Sequence, residues 1–343
     1  MTRPIRIGLL GCGAIAREHH LPSLRGIAGA EVVAVADPDP DARARLAQLT
    51  DAPLYEQAEE VLGLTDVDAV VIATPPHTHA ELAIAAARRD KHLYVEKPLA
   101  TIESDALQVV EEVRRSNVSA TMGFNRRRHP LNARARQLIA DGRVGRALIA
   151  RTAFCEPAAP SEMSTWRGSR SNGGGVLLDL GSHHFDLLRW LLDANLEVLD
   201  ATTSSEGSEQ DGALLRLSTE TGVDVQSVFS SRAAHIDVIE VVGDRGSLRI
   251  DRHRGSLDLV VRRSGRYGVR PAWSRPGTDV YAWRARRLVG RGGDPSYRRT
   301  LQAFVERASG AGVDAPTLDD GLRSLQVVLA AERLAGRDGS GAA

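Results

Sequence analysis

Residues 5–16, IRIGLLGCGAIA, contain two patterns that lead to opposite conclusions about the chain. An apolar run followed by Leu-Leu-Gly-Cys, ending at Cys12, is typical of a lipoprotein export signal. The same residues also form an apolar strand followed by Gly-x-Gly-x-x-Ala, a turn that binds the pyrophosphate of a dinucleotide. An export signal needs roughly 7–15 apolar residues, and only Ile7 to Leu10 are uninterrupted here. We therefore favour the nucleotide-binding strand and a cytoplasmic protein.

The composition is that of a chain large enough for two domains. It has 343 residues, of which 42% are apolar, and its formal net charge is zero. Chains longer than about 250–300 residues divide into domains, and a neutral balance gives no bias toward nucleic acid or lipid. No apolar run approaches the roughly 18 residues of a membrane span. Only two cysteines occur, Cys12 and Cys155, which suits a reducing compartment. We expect no membrane and no nucleic acid among the partners.

Up to Gly123, short apolar runs alternate with longer amphipathic ones. The short runs are almost entirely apolar, which is typical of strands buried on both faces of a parallel sheet. Strand–helix alternation of this kind predicts a doubly wound Rossmann sheet. The predicted strands are Ile5–Leu10, Glu31–Ala36, Ala69–Ala73, His92–Val95 and Ser119–Met122, and the predicted helices are Ala14–Arg25, Asp39–Gln48, Gln57–Leu62, Thr78–Arg89 and Glu103–Arg115.

After Gly123 the pattern becomes typical of an open antiparallel sheet with one packed face. Between Glu197 and Val261 apolar residues recur with a period of two, and Thr221-Gly222 and residues 243–246 supply hairpin turns. Helices are predicted at Leu131–Ala140, His184–Leu192, Ser296–Ala308 and Leu318–Ala335. We predict an α/β chain with three parts: a Rossmann NAD-binding domain over residues 1–123, a C-terminal α+β domain over residues 124–336, and a flexible tail over residues 337–343.

The turn after the first predicted strand has the residues that a dinucleotide requires. Gly11 serves the tight turn, Gly13 lets the backbone approach the pyrophosphate, and the small Ala16 lets helix and strand pack closely. The helix N-terminus offers backbone N–H groups to the phosphates. Asp37 stands about where an acid binds the ribose 2′-OH, and it would repel a 2′-phosphate. We predict NAD rather than NADP, although Arg43 on the next helix leaves NADP open.

Three further stretches narrow the class of protein. They are TPPHTHAELAIAAA (74–87), EKPLA (96–100) and GGGVLLDLGSHHFDLLRWL (173–191). Together with the first motif they closely resemble the glucose-fructose oxidoreductase/inositol dehydrogenase family, often written Gfo/Idh/MocA, from Ile5 to about Leu334. The resemblance implies an NAD(P)-dependent dehydrogenase or reductase that transfers a hydride between nicotinamide and a secondary alcohol or ketone of a sugar, cyclitol or sugar derivative.

The resemblance also implies which residues form the site. Lys97 reaches the substrate hydroxyl beside the nicotinamide, His183 is the general base, and Asp179 holds the sugar and orients the site. Asp186 matches a frequent family acid on the same helix. The expected substrate contacts are Lys97, Asn125, Arg127, Trp166, Arg167, Asp179 and His183, and the expected cofactor contacts are Gly11, Gly13, Ala14, Ile15, Asp37, Thr74, Pro75, His79, Glu96 and Lys97.

These residue types suit the oxidation of an alcohol. The nicotinamide takes the hydride, so the protein handles the proton and the developing alkoxide. A base works best with a pKa near the working pH, which suits histidine, and the ammonium of Lys97 stabilises a negative oxygen. Asp179 and His183 share one face if they are helical. The adjacent His184 is the alternative base.

Other interpretations stay open from the sequence. Some relatives retain NAD and cleave a glycosidic group after transient oxidation, and a few are non-enzymatic sugar sensors or repressors. Fold alone does not separate these functions, but the presence of Lys97 and His183 favours an enzyme. No His-Glu-x-x-His or Cys-x-x-Cys arrangement occurs, so we predict no metal. By resemblance we expect a homodimer or homotetramer formed through the C-terminal sheet, and a cis peptide bond before Pro98.

Residues 262–291 are strongly basic. The segment contains nine arginines against a single acid, Asp279. It has no sustained strand or helix pattern, and long irregular segments are often functional. It is either a solvated insertion or an arm that binds an anionic partner through its guanidinium groups while aromatic rings such as Trp283 stack on a sugar or base.

Overall fold

The computed structural model describes residues 3–159, 166–263, 266–271, 280–283 and 294–338. The chain divides into two compact units, neither of which is continuous in sequence. The first comprises Met1–Asn125, Ser171–Gly173 and Ser296–Leu325, and the second comprises Arg126–Arg170, Gly174–Pro295 and Gln326–Ala343.

The first unit is built on a six-stranded sheet. Its strands are β1 Ile5–Leu10, β2 Ala30–Ala36, β3 Leu54–Tyr55, β4 Ala69–Ile72, β5 His92–Val95 and β6 Ala120–Met122. All neighbouring strands are parallel, in the order β3-β2-β1-β4-β5-β6. The strand order therefore reverses between β1 and β4. In doubly wound sheets, ligands bind at the carboxyl edge beside such a reversal.

Nine α-helices lie in the part of the chain that the structure describes with full helix bounds. They are α1 Leu21–Arg25, α2 Pro40–Ala47, α3 Ala58–Gly63, α4 His79–Ala87, α5 Glu103–Ser116, α6 Pro130–Ala140, α7 Ser182–Leu192, α8 Ser296–Ala308 and α9 Leu318–Asp338. Helices α6 and α7 belong to the second unit and α8 to the first, while α9 passes from the first unit into the second at Gln326. Of the predicted tail over residues 337–343, only residues 337 and 338 are among the described residues.

Helix α8 belongs to the core of the first unit. Its Leu301 and Phe304 are fully buried in the cluster that also contains Ile7, and the Phe304 ring packs edge-on against Tyr94 at 5.7 Å. The predicted boundaries placed all of residues 124–336 in the second domain. The apolar stripe of a helix shows that one face is buried but not which sheet it covers, so the sequence could not show this return to the first unit.

The second unit is built on an eight-stranded sheet. Its strands are β7 Ala147–Cys155, β8 Leu196–Ser204, β9 Gly212–Thr219, β10 Asp224–Ser230, β11 Ile236–Gly243, β12 Gly246–Asp251, β13 Ser256–Arg263 and β14 Arg266–Pro271. They are ordered β14-β13-β12-β11-β7-β10-β9-β8. Strand β7 pairs in parallel with β10, and the other described pairs are antiparallel. The predicted fold class is confirmed.

One face of this second sheet is packed and the other is more exposed, as predicted. In β9, Leu215 and Leu217 are buried, whereas Leu214, the residue before Leu215, is 59% exposed. The two predicted hairpins are present, since β9 pairs with β10 and β11 pairs with β12. Gly222, in the first of these turns, has a φ of +81°.

The basic segment 262–291 differs from its prediction where the structure describes it. Residues 266–271 form strand β14, paired with β13, so the prediction that no strand is sustained there was wrong. Trp283 is buried, and its ring lies 4.7 Å from that of His129, edge-on. It is therefore a core residue rather than a free stacking ring. The five arginines between residues 275 and 291 are outside the described residues.

Candidate active site

The turn after β1 has the backbone that the glycine motif predicts. Gly11 has a φ of +99°, and a Cβ there would lie 2.5 Å from the carbonyl oxygen of Ala73. A side chain at Gly11 is therefore excluded by both conformation and space. A Cβ at Gly13, in contrast, would meet nothing within 4 Å. The space in front of Gly13 is open to a ligand.

The helix that follows this turn fits a bound dinucleotide. It begins at Ala14 and Ile15, continues through a π-helical stretch, Ala16–His20, and runs into α1. The first N–H groups of a helix have no acceptor within the helix and carry the positive end of its dipole. With the open space at Gly13, they form a cradle for a pyrophosphate.

Asp37 lies directly after β2, beside the same turn. Its carboxylate accepts hydrogen bonds from the backbone N–H groups of Cys12 (2.7 Å) and Asp39 (2.8 Å). Arg43 donates to the backbone carbonyls of Asp37 (2.6 Å) and Pro38 (3.1 Å). Burial, reinforced by the charge of Asp37, raises the pKa of the Cys12 thiol to about 12. Cys12 therefore stays protonated at neutral pH and is a poor nucleophile.

The loop after β4 carries Thr74, Pro75 and His79, which were all predicted to contact the cofactor. His79 is the first residue of α4 and is only 1% exposed. Its Nδ1 lies 2.7 Å from the carbonyl oxygen of Pro98, and its Nε2 lies 2.9 Å from that of Thr74. Both ring nitrogens are taken by the protein. These contacts give the His79 side chain a role within the protein, and its predicted contact with the cofactor stays a prediction.

The Glu-Lys-Pro motif directly follows β5, at the carboxyl edge of the sheet. The Lys97–Pro98 bond is cis, as predicted. Glu96 was predicted to contact the cofactor, but its carboxylate is buried, 3.0 Å from His20 Nε2 and 3.4 Å from the Tyr94 hydroxyl. Burial raises the pKa of Glu96, but His20 and Lys97 together outweigh burial and hold that pKa below its usual value. The carboxylate also accepts from the Lys97 N–H at 3.2 Å.

In the second unit, the structure brings together three of the predicted substrate residues. The Nε of Arg167 lies 3.4 Å from a carboxylate oxygen of Asp179, and its guanidinium lies 5.5 Å from the centre of the Trp166 ring. A Cβ at Gly174 would overlap the carbonyl oxygen of Arg167. The glycine triplet therefore lets the chain pass closely behind this group.

Asp179 and His183 are both in helical structure. Asp179 lies in a π-helical stretch, Leu177–Gly181, which continues directly into α7, where His183 is the second residue. Such π-helical turns are often found at functional sites. The sequence predicted a helix over His184–Leu192 and left open whether Asp179 and His183 are helical, so the structure extends the helix toward the N-terminus.

His183 and His184 have different surroundings. His183 is half-buried, whereas His184 is fully buried and stacks on the Phe154 ring at 5.1 Å. The Nδ1 of His184 contacts the Thr152 hydroxyl, and its Nε2 lies 3.2 Å from the Asp237 carboxylate. Burial lowers the pKa of His184 despite the opposing charge of Asp237. Both ring nitrogens of His184 are thus engaged inside the protein.

Two other predicted substrate residues have partners within their own units. Arg127 donates to both carboxylate oxygens of the buried Asp186, at 2.9 and 2.5 Å. Asn125 is 3% exposed and donates through its amide nitrogen to the Ser296 hydroxyl at 2.9 Å. These bonds give both side chains a structural role that the sequence prediction did not include.

The sequence prediction missed a buried charge cluster in the second unit. Asp237 lies 2.6 Å from Arg126 Nη1 and 3.7 Å from Arg252 Nε, in addition to its contact with His184. Burial raises the pKa of Asp237, but Arg126 and His184 outweigh burial and hold that pKa well below its usual value. A signal existed, because Asp237 occupies an inward position of β11 in register with the buried Ile239. A charged residue at an inward position needs a partner.

The described residues contain no group of three or more His, Cys, Asp or Glu side chains placed to hold a metal ion. The absence of a metal stays a prediction. None of the described helices is both long and apolar enough to span a membrane.

Comparison with known proteins identifies the class. Residues 5–124 match an oxidoreductase family with an NAD-binding Rossmann fold, and residues 132–249 match the GFO/IDH/MocA C-terminal domain. The chain is 31% identical over 336 residues to Inositol 2-dehydrogenase 2 of Saccharopolyspora erythraea. The aligned region covers 94% of this chain and 91% of that relative.

Two solved structures share the fold. One is levoglucosan dehydrogenase in complex with NADH and levoglucosan, with a TM-score of 0.86 and 23% identity over 98% of both chains. The other is a 3-ketoreductase from Actinomadura kijaniata in complex with NADP and TDP-benzene, with a TM-score of 0.82 and 24% identity over 97% of this chain and 98% of that one.

The fold, the glycine turn and these matches define an oxidoreductase with an NAD-binding Rossmann domain. The chain belongs to the Gfo/Idh/MocA family, as its motifs predicted. The prediction of an NAD(P)-dependent dehydrogenase or reductase is confirmed at that level.

Proposed function

We propose that this protein is an NAD-dependent dehydrogenase or reductase that interconverts a secondary alcohol and a ketone on a sugar, cyclitol or sugar derivative. The observation that carries the proposal is the position of Lys97. It is the second residue after β5, at the same carboxyl edge as the glycine turn after β1. In doubly wound sheets, the reacting groups gather at this edge.

Lys97 is the group proposed to stabilise the alkoxide. The chain has 44 lysines and arginines, and only Lys91 and Lys97 are lysines. Lys91 donates to two backbone carbonyls just before the other end of β5. A lysine ammonium is a compact charge that can gain or lose a proton, whereas a guanidinium stays charged. The presence of lysine at 97, in a chain whose other basic residues are arginines apart from Lys91, supports a chemical role.

His183 is the proposed acid–base group, with Asp179 holding the sugar. When bound, the nicotinamide accepts or returns the hydride. His183 takes the hydroxyl proton in oxidation and returns it in reduction. The engagement of both His184 nitrogens with Thr152 and Asp237 supports His183 over its neighbour.

NAD is the proposed cofactor, with NADP as the alternative. Asp37 presents a carboxylate beside the glycine turn, held by two backbone N–H groups, and a 2′-phosphate there would be repelled. Arg43, the nearest cation to this position along the chain, is bonded to two backbone carbonyls. This arrangement supports a ribose 2′-OH as the group from which Asp37 accepts a hydrogen bond.

We infer a homodimer or homotetramer formed through the second sheet. Large apolar side chains are exposed on its strands, and two of them, Leu214 and Val228, lie directly opposite each other on β9 and β10. An exposed apolar patch on a sheet face is typical of an interface. A second copy of the same face is the partner we propose. Among the side chains of this sheet whose burial the structure describes, the large apolar ones that are exposed are Leu148, Ile149, Leu199, Leu214, Val228 and Ile236.

The function is tested by substrate screening. Inositol isomers, levoglucosan, other polyols and nucleotide sugars are each mixed with the protein and NAD or NADP, and NADH or NADPH absorbance is followed. We expect net NADH formation with at least one polyol or sugar. NAD binding without any turnover would favour a sensor, and NADH that never leaves the protein, with a cleaved product, would favour a glycosidase or lyase.

A further inference from the structure

We propose that His79 is a positioning residue that ties the loop carrying Thr74 to the loop carrying Lys97 and thereby fixes the lysine at the carboxyl edge. The inference rests on the proposed function of Lys97. Its basis is the pair of contacts at the His79 ring, 2.7 Å from the Pro98 carbonyl and 2.9 Å from the Thr74 carbonyl.

The two carbonyls belong to different strand ends. Thr74 follows β4, in the loop predicted to contact the cofactor, and Pro98 is the residue next to Lys97 after β5. A carbonyl oxygen only accepts hydrogen bonds, and a neutral imidazole has a single N–H. Since burial lowers the pKa of His79, the ring is neutral at neutral pH: it donates a hydrogen bond to one carbonyl while its other nitrogen packs against the second, so the ring bridges the two loops. At 1% exposure, no solvent competes for these carbonyls.

Lys97 is also held from its other side. Its backbone N–H donates to the Glu96 carboxylate at 3.2 Å, and the same carboxylate contacts His20 at 3.0 Å. His20 ends the π-helical stretch that follows the glycine turn. The backbone around Lys97 is therefore fixed at residue 97 by Glu96 and at residue 98 by His79. Such positioning matters because a displacement of about 1 Å in a reacting group can cost about 100-fold in rate.

Two substitutions separate the two contacts of the ring. In His79→Asn the amide nitrogen replaces Nδ1, which keeps the bond to Pro98 and loses the one to Thr74. In His79→Gln the amide nitrogen replaces Nε2, with the opposite result. We expect His79→Gln to lower kcat about 10–100-fold with little change in the Kd for NAD. We expect His79→Asn to preserve kcat and to raise the Kd for NAD.

Lysine-selective 15N labelling gives a readout that needs no substrate, because only Lys91 and Lys97 contribute backbone amide signals. The signal lost in Lys97→Arg identifies Lys97. We expect His79→Gln to shift the Lys97 signal and leave Lys91 unchanged, and His79→Asn to shift Lys97 less. His92→Gln is the matched control, because His92 lies next to Lys91 at the opposite end of β5 and accepts from the Ser119 N–H. It should shift Lys91 and leave kcat unchanged.

Two outcomes overturn the proposal. One is an unchanged Lys97 signal in folded His79→Gln protein, and the other is identical behaviour of the Asn and Gln variants in both the spectra and the kinetics. If the wild-type protein turns over no substrate, the proposed function fails while the spectra still decide the positioning role. Far-UV circular dichroism shows that each variant is folded.

Discussion

Lys97 and His183 are the side chains to which the hydroxyl proton is assigned. Replacing either by alanine removes a charge or an acid–base group while the glycine turn remains intact. We expect Lys97→Ala and His183→Ala each to lower kcat by about 10²–10⁴-fold, with the Kd for NAD nearly unchanged. Steady-state kinetics and calorimetry on the substrate found by screening provide the measurement.

The exposed His235 offers a matched control in the same unit as His183. His235→Ala should retain wild-type turnover. Full activity in His183→Ala would move the base elsewhere. His184 could then act as the base only if its contacts with Thr152 and Asp237 were broken.

Asp37 is the residue that we propose to set the preference between the two cofactors. The double variant Asp37→Ala, Pro38→Arg removes a repulsive carboxylate and adds a guanidinium that pairs with phosphate. We expect the ratio of kcat/KM for NAD to that for NADP to fall. Asp39→Asn is the control, because it removes a neighbouring charge while asparagine still caps α2. Tighter binding of NADP than NAD by the unmodified protein, measured by calorimetry, would contradict the role of Asp37.

At the scale of single residues, the sequence indicates where candidate site residues stand better than it indicates which groups their side chains contact. Motifs single out Gly11, Asp37 and Lys97 as candidates because the chemistry proposed for them depends on local spacing. The partners of His79 and Asn125 could not be predicted, because Pro98 and Ser296 are distant in sequence and meet them only in the folded chain. Whether a polar side chain serves a ligand or the protein is decided by such contacts.

At the scale of an element, the two glycines of the turn after β1 have different roles: Gly11 is required by the fold, and Gly13 leaves space for the proposed cofactor. A side chain at Gly11 meets both a left-handed backbone and the Ala73 carbonyl, whereas one at Gly13 meets no protein atom. We expect Gly11→Ala to lower the free energy of unfolding by about 1–3 kcal/mol. Gly13→Ala should unfold like the wild type and bind NAD weakly. Urea denaturation and calorimetry measure the two effects, and normal NAD affinity in Gly13→Ala would show that the cradle lies elsewhere.

Element prediction succeeded where burial is uniform and failed where pairing is distant. Strands β1, β4 and β5 have apolar sequences because both faces are covered. Strand β7 escaped prediction because Leu148 and Ile149 are exposed while Thr152 is buried, which breaks the expected alternation. Its position between β11 and β10 depends on residues far along the chain. Strand β14 was missed because arginines obscure its pattern.

At the scale of the whole molecule, buried histidines make stability sensitive to acid. Burial lowers the pKa of His79 and His184, and burial with the charge of Arg252 lowers that of His129 to about 3. Their pKa in the unfolded chain is about 6.5, so the unfolded chain binds protons that the folded one does not. The free energy of unfolding therefore falls as the pH drops below about 6.5. The carboxyl groups with lowered pKa act in the same direction only below about pH 4.

His129→Asn tests this dependence. The Nδ1 of His129 accepts from the Leu131 N–H at the start of α6, and asparagine is itself a preferred N-cap. We expect the variant to lose less stability between about pH 7 and pH 5, by about 2 kcal/mol for a histidine that stays neutral when folded. Urea denaturation across this range provides the slope. An unchanged slope would mean that His129 takes up a proton without unfolding.

The exposed face of the second sheet should set the assembly. Leu214→Glu combined with Val228→Glu places like charges opposite each other on β9 and β10 and should reduce the mass measured by light scattering to that of one 36.9 kDa chain. Leu107→Glu, at a residue 49% exposed on α5 of the first unit, should leave the mass unchanged. A wild-type protein that already has the mass of one chain would rule out this interface.

The return of α8 to the first unit means that the order of synthesis differs from the order of completion. Leu301 and Phe304 leave the ribosome long after Tyr94 and Ile7, the residues whose core they share. At about 5–20 residues per second, the delay between residues 125 and 301 is roughly 10–35 s. Throughout this time the nascent nucleotide-binding sheet lacks part of its apolar cover, and exposed apolar surface of this kind promotes aggregation. The core of the first unit is therefore complete only once α8 has been synthesised.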